Sequence, residues 1–361
     1  MPGATVNSKS QEQHGHADDE LNMKGTHDAT RLTSWLLLVG ALAFGSSSGA
    51  GAQGVFRSGV DMVPLTVTVT DAAGKYVEGL TEHDFAVFED GVQQSVSFFA
   101  SERVPVDVAL VLDASGSMET DMPLVRGAAD GLIRSLRPVD RVAVVAVRTF
   151  VGMPQRFSTD HERAAAAIDA LRCSGSTAVY DAVYITLQEF ARERREHSEV
   201  RRQVLVLLTD GLDNASHVSA DEMADAAKRV GVNIYVVALR DPAPQARATP
   251  RDVEQERATY TMRALAQDAG GRIFFPTAAT ELPAVYGTIA RELASQYDLG
   301  YVPAKPAGNG AFRRVAVRVL PPASGVARTR SGYHAVRSTA RSAMDPVEKV
   351  EKVRPIPPPR D

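Results

Sequence analysis

The stretch "LVLDASGSM", Leu110–Met118, ends an apolar run on an aspartate and then places two serines at alternate positions. It completes a longer run that begins "VDVALVL" at Val106. A second such run, "RQVLVLL", ends on Thr209-Asp210-Gly211, and "RVAVVAVR" and "VNIYVVALR" have the same character. Near-continuous apolar runs suit central strands covered on both faces. Helical stretches separate them. Residues 122–136 place Val125, Ala129, Leu132 and Leu136 on one stripe, and residues 281–297 do so with Leu282, Val285, Tyr286, Ile289 and Leu293. Thr159 with Glu162, and Ser219 with Glu222, have the spacing of capping boxes, and Gly231 is placed to stop the helix after Ser219. Strand–helix alternation over roughly 190 residues predicts an α/β fold: an open, mostly parallel sheet with helices on both faces.

Working outward, both flanks of this region read as β. In "VPLTVTVTD", Leu65, Val67 and Val69 alternate with threonines. "DFAVFEDGVQQSVSFF" reads as two strands around Asp90-Gly91, a hairpin signal. After Tyr297, "LGYVPA", "FRRVAVRVL" and "VARTRSGYH" are separated by Pro and Gly turns. Each flank supplies about three strands, too few to bury much apolar surface alone. Both alternate, so each has an apolar face that needs a cover, and they leave the core at its two ends. The expectation is one small flanking β-sandwich-like unit built from N- and C-terminal strands. The expected organisation is a leader and secretory signal at 1–52, an N-terminal β unit at 61–101, the α/β domain at 104–297, C-terminal strands at 298–334 and a Pro-rich, disordered tail at 335–361.

The leader rests on "SWLLLVGALAFGSSSGAGA", Ser34–Ala52. Its apolar part, Trp35 to Phe44, falls short of the about 20 residues that span a bilayer. Arg31 precedes it and Ala50-Gly51-Ala52 closes it, the layout of a cleaved export signal. An uncleaved membrane anchor is the alternative. "MKGTHDATR" from Met23 makes a better signal start than Met1. Export would place the protein in the periplasm, at the cell surface or outside the cell. The whole chain has 361 residues and a formal charge of −4, and without 1–52 it keeps 39 acidic and 37 basic residues. Neither balance points to nucleic acid. The single cysteine, Cys173, excludes an intramolecular disulfide and any multi-cysteine metal site.

Ligands of open α/β sheets collect at the carboxyl ends of the strands. Asp113, Ser115 and Ser117 follow one such end, and Asp210 follows another. Between them "GSTAVYDAV" places Thr177 in a Gly/Ser-rich loop before a helix. The five residues offer two carboxylates and three hydroxyls, with no nitrogen or sulfur. Hard divalent cations take such oxygen sets, and magnesium takes six oxygens at about 2.1 Å. Taken singly, Ser115 and Ser117 could simply cap the next helix, and Asp113 could be an ordinary strand-end residue. Asp181, one helical turn past Thr177, is either a group behind the ligands or a surface acid, and Asp213 and Asn214 shape the turn after Asp210.

Asp-x-Ser-x-Ser, a later loop threonine and Thr-Asp-Gly after a buried strand resemble the von Willebrand factor type A domain with its metal-ion-dependent adhesion site. The resemblance covers about residues 104–300. Including "VTVTDAAGKYVEGLTEHDFAVFEDGVQQSVSFF" and the late "YDLGYVP", "FRRVAVRV" and "RTRSGYH", the chain resembles the bacterial VWFA-related subfamily common in Acidobacteria. That resemblance implies that Ser115, Ser117 and Thr177 hold Mg2+ or Mn2+ directly, that Asp113 and Asp210 reach it mainly through water, and that a protein partner completes the shell with an Asp or Glu carboxylate. It implies a non-enzymatic binding module. Two other classes stand beside it. A structural envelope protein would bind through its β flanks without metal. A hydrolase of the haloacid dehalogenase type would need a second acid two residues after Asp113, where Ser115 stands. The Gly45–Gly49 string with the G-x-S-x-G pattern lies in the signal region, and no H-E-x-x-H is present.

Overall fold

A computed structural model describes residues 62–101, 104–197, 199–210, 212–239, 250–305 and 310–335. The expected leader, the start at Met23 and all but the first residue of the expected tail lie outside these residues. The described residues all fall in one compact unit. Among the described residues, no helix is long and apolar enough to cross a membrane.

Four strands come first: β1 (Val63–Thr70), β2 (Phe85–Glu89), β3 (Val92–Gln94) and β4 (Val96–Ala100). The α/β core follows, with β5 (Val106–Asp113), α1 (Met122–Ser135), β6 (Arg141–Val147), β7 (Gly152–Ser158), α2 (His161–Asp169) and α3 (Val179–Glu196). It continues through β8 (Arg202–Thr209), α4 (Ala220–Val230), β9 (Asn233–Ala238), α5 (Pro250–Asp268), β10 (Arg272–Phe274) and α6 (Leu282–Ala294). Four strands close the chain: β11 (Tyr297–Tyr301), β12 (Phe312–Val319), β13 (Val326–Arg328) and β14 (Gly332–His334).

The core sheet has the order β10-β9-β8-β5-β6-β7. All its pairings are parallel except that of β6 with β7. β8 and β5 lie at the centre, and every residue of both is buried. Alternate residues of β5 serve two separate cores. Val108, Leu110 and Leu112 meet Val125 and Leu132 of α1 and Ile289 of α6. Ala109 and Val111 meet Val183 and Phe190 of α3 and Met223 of α4. The sequence therefore reads as continuous because both faces are covered.

The capping box of Ser219 and Glu222 opens α4, and Gly231, at φ 71°, closes it. The box expected at Thr159 does not form. Asp160 caps α2 instead, its carboxylate accepting from the Arg163 amide. The last helix also stops short of its expected end, at Ala294, because Tyr297 pairs with Val67 in the first strand of the flanking sheet.

The flanks form two antiparallel sheets, each built from both chain ends, with orders β13-β1-β11-β4 and β14-β12-β2-β3. Leu65 lies opposite Leu299, and Val87 opposite Val317. Their apolar faces close on one core that includes Leu65, Val67, Val69, Phe85, Leu299, Val315 and Val317. The shared β-sandwich expected from the pattern is present, with four strands from each flank rather than three. The extra N-terminal strand comes from the second arm of the hairpin. Asp90 and Gly91 have φ 49° and 83°, the twist that joins two-residue hairpins. Beyond them, however, the chain breaks at Ser95. β3 stays with β2, while β4 crosses to the other sheet and pairs with β11. The crossing seats Phe99 against the rings of Phe85 and Tyr297, at 6.0 and 6.2 Å between centroids.

Polar groups join sandwich to core. Glu292 of α6 is fully buried and accepts from Tyr235 of β9 (2.6 Å), Thr68 of β1 (3.3 Å) and Tyr76 (3.2 Å), and pairs with Arg328 of β13. Arg202, at the start of β8, pairs with Asp298 of β11 at 2.8 Å and donates to the Leu293 carbonyl at 2.9 Å.

Candidate metal centre

β5 ends at Asp113 and β8 at Thr209, and the two strands are parallel neighbours. That adjacency brings the first motif beside Thr209-Asp210. Asp113 is wholly buried. Its Oδ1 accepts from the Ser115 amide at 3.0 Å and its Oδ2 from the Thr209 hydroxyl at 2.9 Å. Burial pushes the Asp113 carboxyl above its usual pKa, against the hydrogen bonds of Ser115 and Thr209, and the nearby Asp210 charge pushes it the same way.

The Ser115 and Ser117 hydroxyls lie 3.1 Å apart. Two neighbouring ligands in a magnesium octahedron, with bonds of about 2.1 Å, are separated by about 3.0 Å. The two are hydrogen-bonded to one another, at a separation close to that of one octahedral edge. Ser115 and Thr177 are almost completely covered, at 1% and 4% exposure, whereas Asp210 is half-buried and Ser117 exposed. The cluster therefore opens to solvent on one side.

Backbone bonds carry Thr177 to the same edge. The Gly116 amide donates to the Gly175 carbonyl (3.1 Å) and the Ser174 amide to the Ala114 carbonyl (2.9 Å), lacing the two loops together. Gly175 sits at φ 73° under Thr149, whose hydroxyl accepts from the Ser176 amide at 2.9 Å. A Cβ on Gly175 would lie 2.4 Å from that hydroxyl. The Thr177 amide donates to the Asn214 side chain at 2.9 Å, and its carbonyl accepts from the Asn214 and Ala215 amides. Asp213 accepts from the Tyr180 amide at 2.9 Å. The turn after Asp210 is shaped by Asp213 and Asn214 as expected, and it also holds the threonine loop.

Asp181 is not a surface acid. It is buried and accepts from the His217 and Val218 amides at 2.9 and 2.8 Å, and its other oxygen meets His217 Nδ1 at 3.0 Å. It ties the loop before α4 to the start of α3. Thr149 and Thr209 were not singled out in the sequence. Thr209 carried one signal, its place in the last position of a buried strand. Among the described residues, no group of three or more His, Cys, Asp or Glu is gathered as a metal cluster. The chemistry fits a hard divalent cation: oxygen donors only, two of them at octahedral spacing, backed by two carboxylates.

No curated protein matches the chain. Among solved structures, it is similar to an aerotolerance-related membrane protein from Bacteroides fragilis, at 18% identity over 52% of this chain and 98% of that one, with a TM-score of 0.40. It is also similar to a von Willebrand factor type A protein from Catenulispora acidiphila, at 13% identity over 76% and 73%, TM-score 0.44. The pilus adhesin SpaC from Lactobacillus rhamnosus GG shares 10% identity over 74% and 49%, TM-score 0.43. The von Willebrand factor type A domain family matches residues 107–288, half of the chain, with both strand ends and the threonine loop inside the match. With the parallel sheet and its two helical layers in place, the chain belongs to the von Willebrand factor type A family.

Proposed function

We propose that the protein is an exported, non-enzymatic binding module whose adhesion-type site takes Mg2+ or Mn2+ and, through it, an Asp or Glu side chain of a protein partner. Ser115, Ser117 and Thr177 are the direct ligands in this reading, with Asp113 and Asp210 behind them. A bound divalent cation supplies an electrophilic position for a carboxylate oxygen. The chain's own residues do the rest. Asp113 is held by the Ser115 amide and the Thr209 hydroxyl, so its carboxylate orients the serine turn. The neutral hydroxyls leave most of a cation's charge available to an outside carboxylate. The exposed side at Ser117 and Asp210 is where such a group can enter, and the surrounding loops supply specificity. The observation that carries the proposal is the 3.1 Å hydroxyl pair beside the buried Asp113 carboxylate, at the edge where Thr209-Asp210 also ends.

Titration calorimetry tests the metal. The protein is expected to take about one equivalent of magnesium or manganese. Asp113→Ala should abolish that binding while circular dichroism stays unchanged, and unchanged affinity in the variant would refute the assignment. A pull-down from envelope extract, with magnesium and with chelator in parallel, tests the partner; capture that ignores chelator favours a metal-independent surface. Export is tested by intact mass of the native protein. The expected mature N-terminus is Gln53, and a species retaining Trp35 would mean an anchor.

A further inference from the structure

A crevice of about 450 Å3 lies at the opposite edge of the core sheet, where the sandwich meets the first residues of β5, β6, β8 and β9: Asp107, Arg141, Arg202 and Asn233. β5 is eight residues long, so this edge is about 25 Å from the hydroxyl cluster. Five arginines and four carboxylates line it, a surplus of one positive charge. The four carboxylates are already engaged. Asp107 pairs with Arg141 and Arg201, both at 2.6 Å, Glu193 with Arg141 at 2.9 Å, Glu199 with Arg201 at 3.0 Å, and Asp298 with Arg202 at 2.8 Å.

Arg194 and Arg330 are left without a carboxylate among the described residues. Arg194 donates to the Val230 carbonyl at 3.0 Å and to the Gln203 side chain, both neutral. Arg330 donates one Nη to the Pro64 carbonyl at 2.9 Å and lies over the Tyr333 ring at 5.4 Å. Its Nε is buried with no hydrogen-bond partner. Gly231 makes room for it, since a Cβ there would lie 2.3 Å from the Arg330 Nη1. Burial holds the Arg330 guanidinium down to about 10, and the neighbouring Arg194 charge acts in the same direction. Burial also lowers Arg194. Both remain charged at neutral pH; Arg194 is exposed to solvent and Arg330 is half-buried. Beside them the crevice wall carries Met62, Phe98 and Val200, all exposed to solvent.

We propose that this crevice is a second binding site, for a carboxylate with an apolar tail, its head held by Arg194 and Arg330 and its tail laid along Met62, Phe98 and Val200. A guanidinium presents a planar set of N–H donors that matches two oxygens on one centre, and neither Arg194 nor Arg330 gives its donors to a carboxylate among the described residues. The single surplus charge suits a monoanion over a phosphate dianion. The apolar wall favours a tail over a bare carboxylate. The site does not depend on the metal reading.

The probes are sodium octanoate, acetate, 1-octanol and inorganic phosphate, titrated calorimetrically into the full protein with chelator present. Octanoate should bind saturably at one site, more tightly than acetate, octanol or phosphate. Arg330→Gln and Arg194→Gln should each weaken it by roughly tenfold or more, the worth of a hydrogen bond to a charged group, while Asp113→Ala leaves it unchanged. Octanoate binding no tighter than octanol, phosphate binding tighter than octanoate, or unchanged affinity in both arginine variants would each overturn the proposal. If either variant fails to fold, the wild-type protein supplies the reading by NMR: octanoate must shift the Arg330 Nε–H resonance, and an unmoved resonance at saturation refutes the site.

Discussion

Replacing Glu292 by glutamine changes one buried charge and almost no volume. The side chain is fully enclosed and draws together three groups of the sandwich, Thr68, Tyr76 and Arg328, and one of the core sheet, Tyr235. Glutamine keeps one acceptor oxygen but turns an amide toward hydroxyl donors and leaves the Arg328 guanidinium with no carboxylate there. Breaking a buried ion pair costs about 3–5 kcal/mol. Arg328 is 30% exposed and keeps the Gly270 and Gly271 carbonyls, so the low end applies, about 3 kcal/mol. For an ordered region of this size that lowers Tm by about 6–12 °C. The assay is urea denaturation followed by circular dichroism, since the only tryptophan, Trp35, lies in the leader region. A cycle with Arg328→Gln should give a coupling of about 1–3 kcal/mol between the two positions. A Glu292→Gln loss under about 1 kcal/mol, or additivity within about 0.5 kcal/mol, would show that Glu292 does not hold sandwich to core.

Leu65→Ala removes a side chain that is 1% exposed at the centre of the sandwich and should cost about 2–5 kcal/mol by urea denaturation. Asp140 tests the sign of a pH effect. Burial pushes its carboxyl up, but the Arg137 guanidinium and the Val106 and Arg137 amides outweigh that and hold it below the usual range. Its stabilising contribution is therefore complete above about pH 4 and is lost as pH falls through the lowered value, so the deficit of Asp140→Asn at pH 7 should shrink in acid; an equal deficit at both pH values would refute it. Deleting residues 53–101 should expose the buried faces of Val315 and Val317 and make residues 298–334 protease-sensitive, whereas resistance equal to the full chain would mean the C-terminal strands do not need β1 and β2.

The central strands were legible because burial on both faces leaves a continuous apolar run, as in β5 and β8. The sandwich was legible because alternation demands a cover for one face, and Leu65 and Val317 found it in the same core. What escaped was decided by tertiary contacts. Nothing local distinguishes Ser95 as the point where a hairpin arm changes sheets; the vacancy beside β11 and the aromatic cluster at Phe99 do. Thr159 and Asp160 are both acceptable caps, and the chain's entry into α2 chose the second. At the candidate metal centre the two strand ends and the threonine loop were readable from the order of the motifs. The loop ties through Asp181 and Asn214 were not, because each joins a side chain to amides more than thirty residues away.

The α/β core is threaded into the sandwich between Ala100 and Tyr297, with sandwich strands on either side of it in the chain. Tension applied between Val63 and His334 therefore enters and leaves through sandwich strands, and the core is off the load path. The three-residue β14 is the first element to peel, being zipped to β12 by a short register, while β1 is sheared along five paired positions of β11. The expected order under such a pull is loss of the sandwich strands, with their ties through Glu292 and Asp298, before force reaches Asp113 or Thr177. The grip of the loop edge on anything it holds is thus insulated from a tug on the chain ends, and the sandwich works as a mechanical fuse.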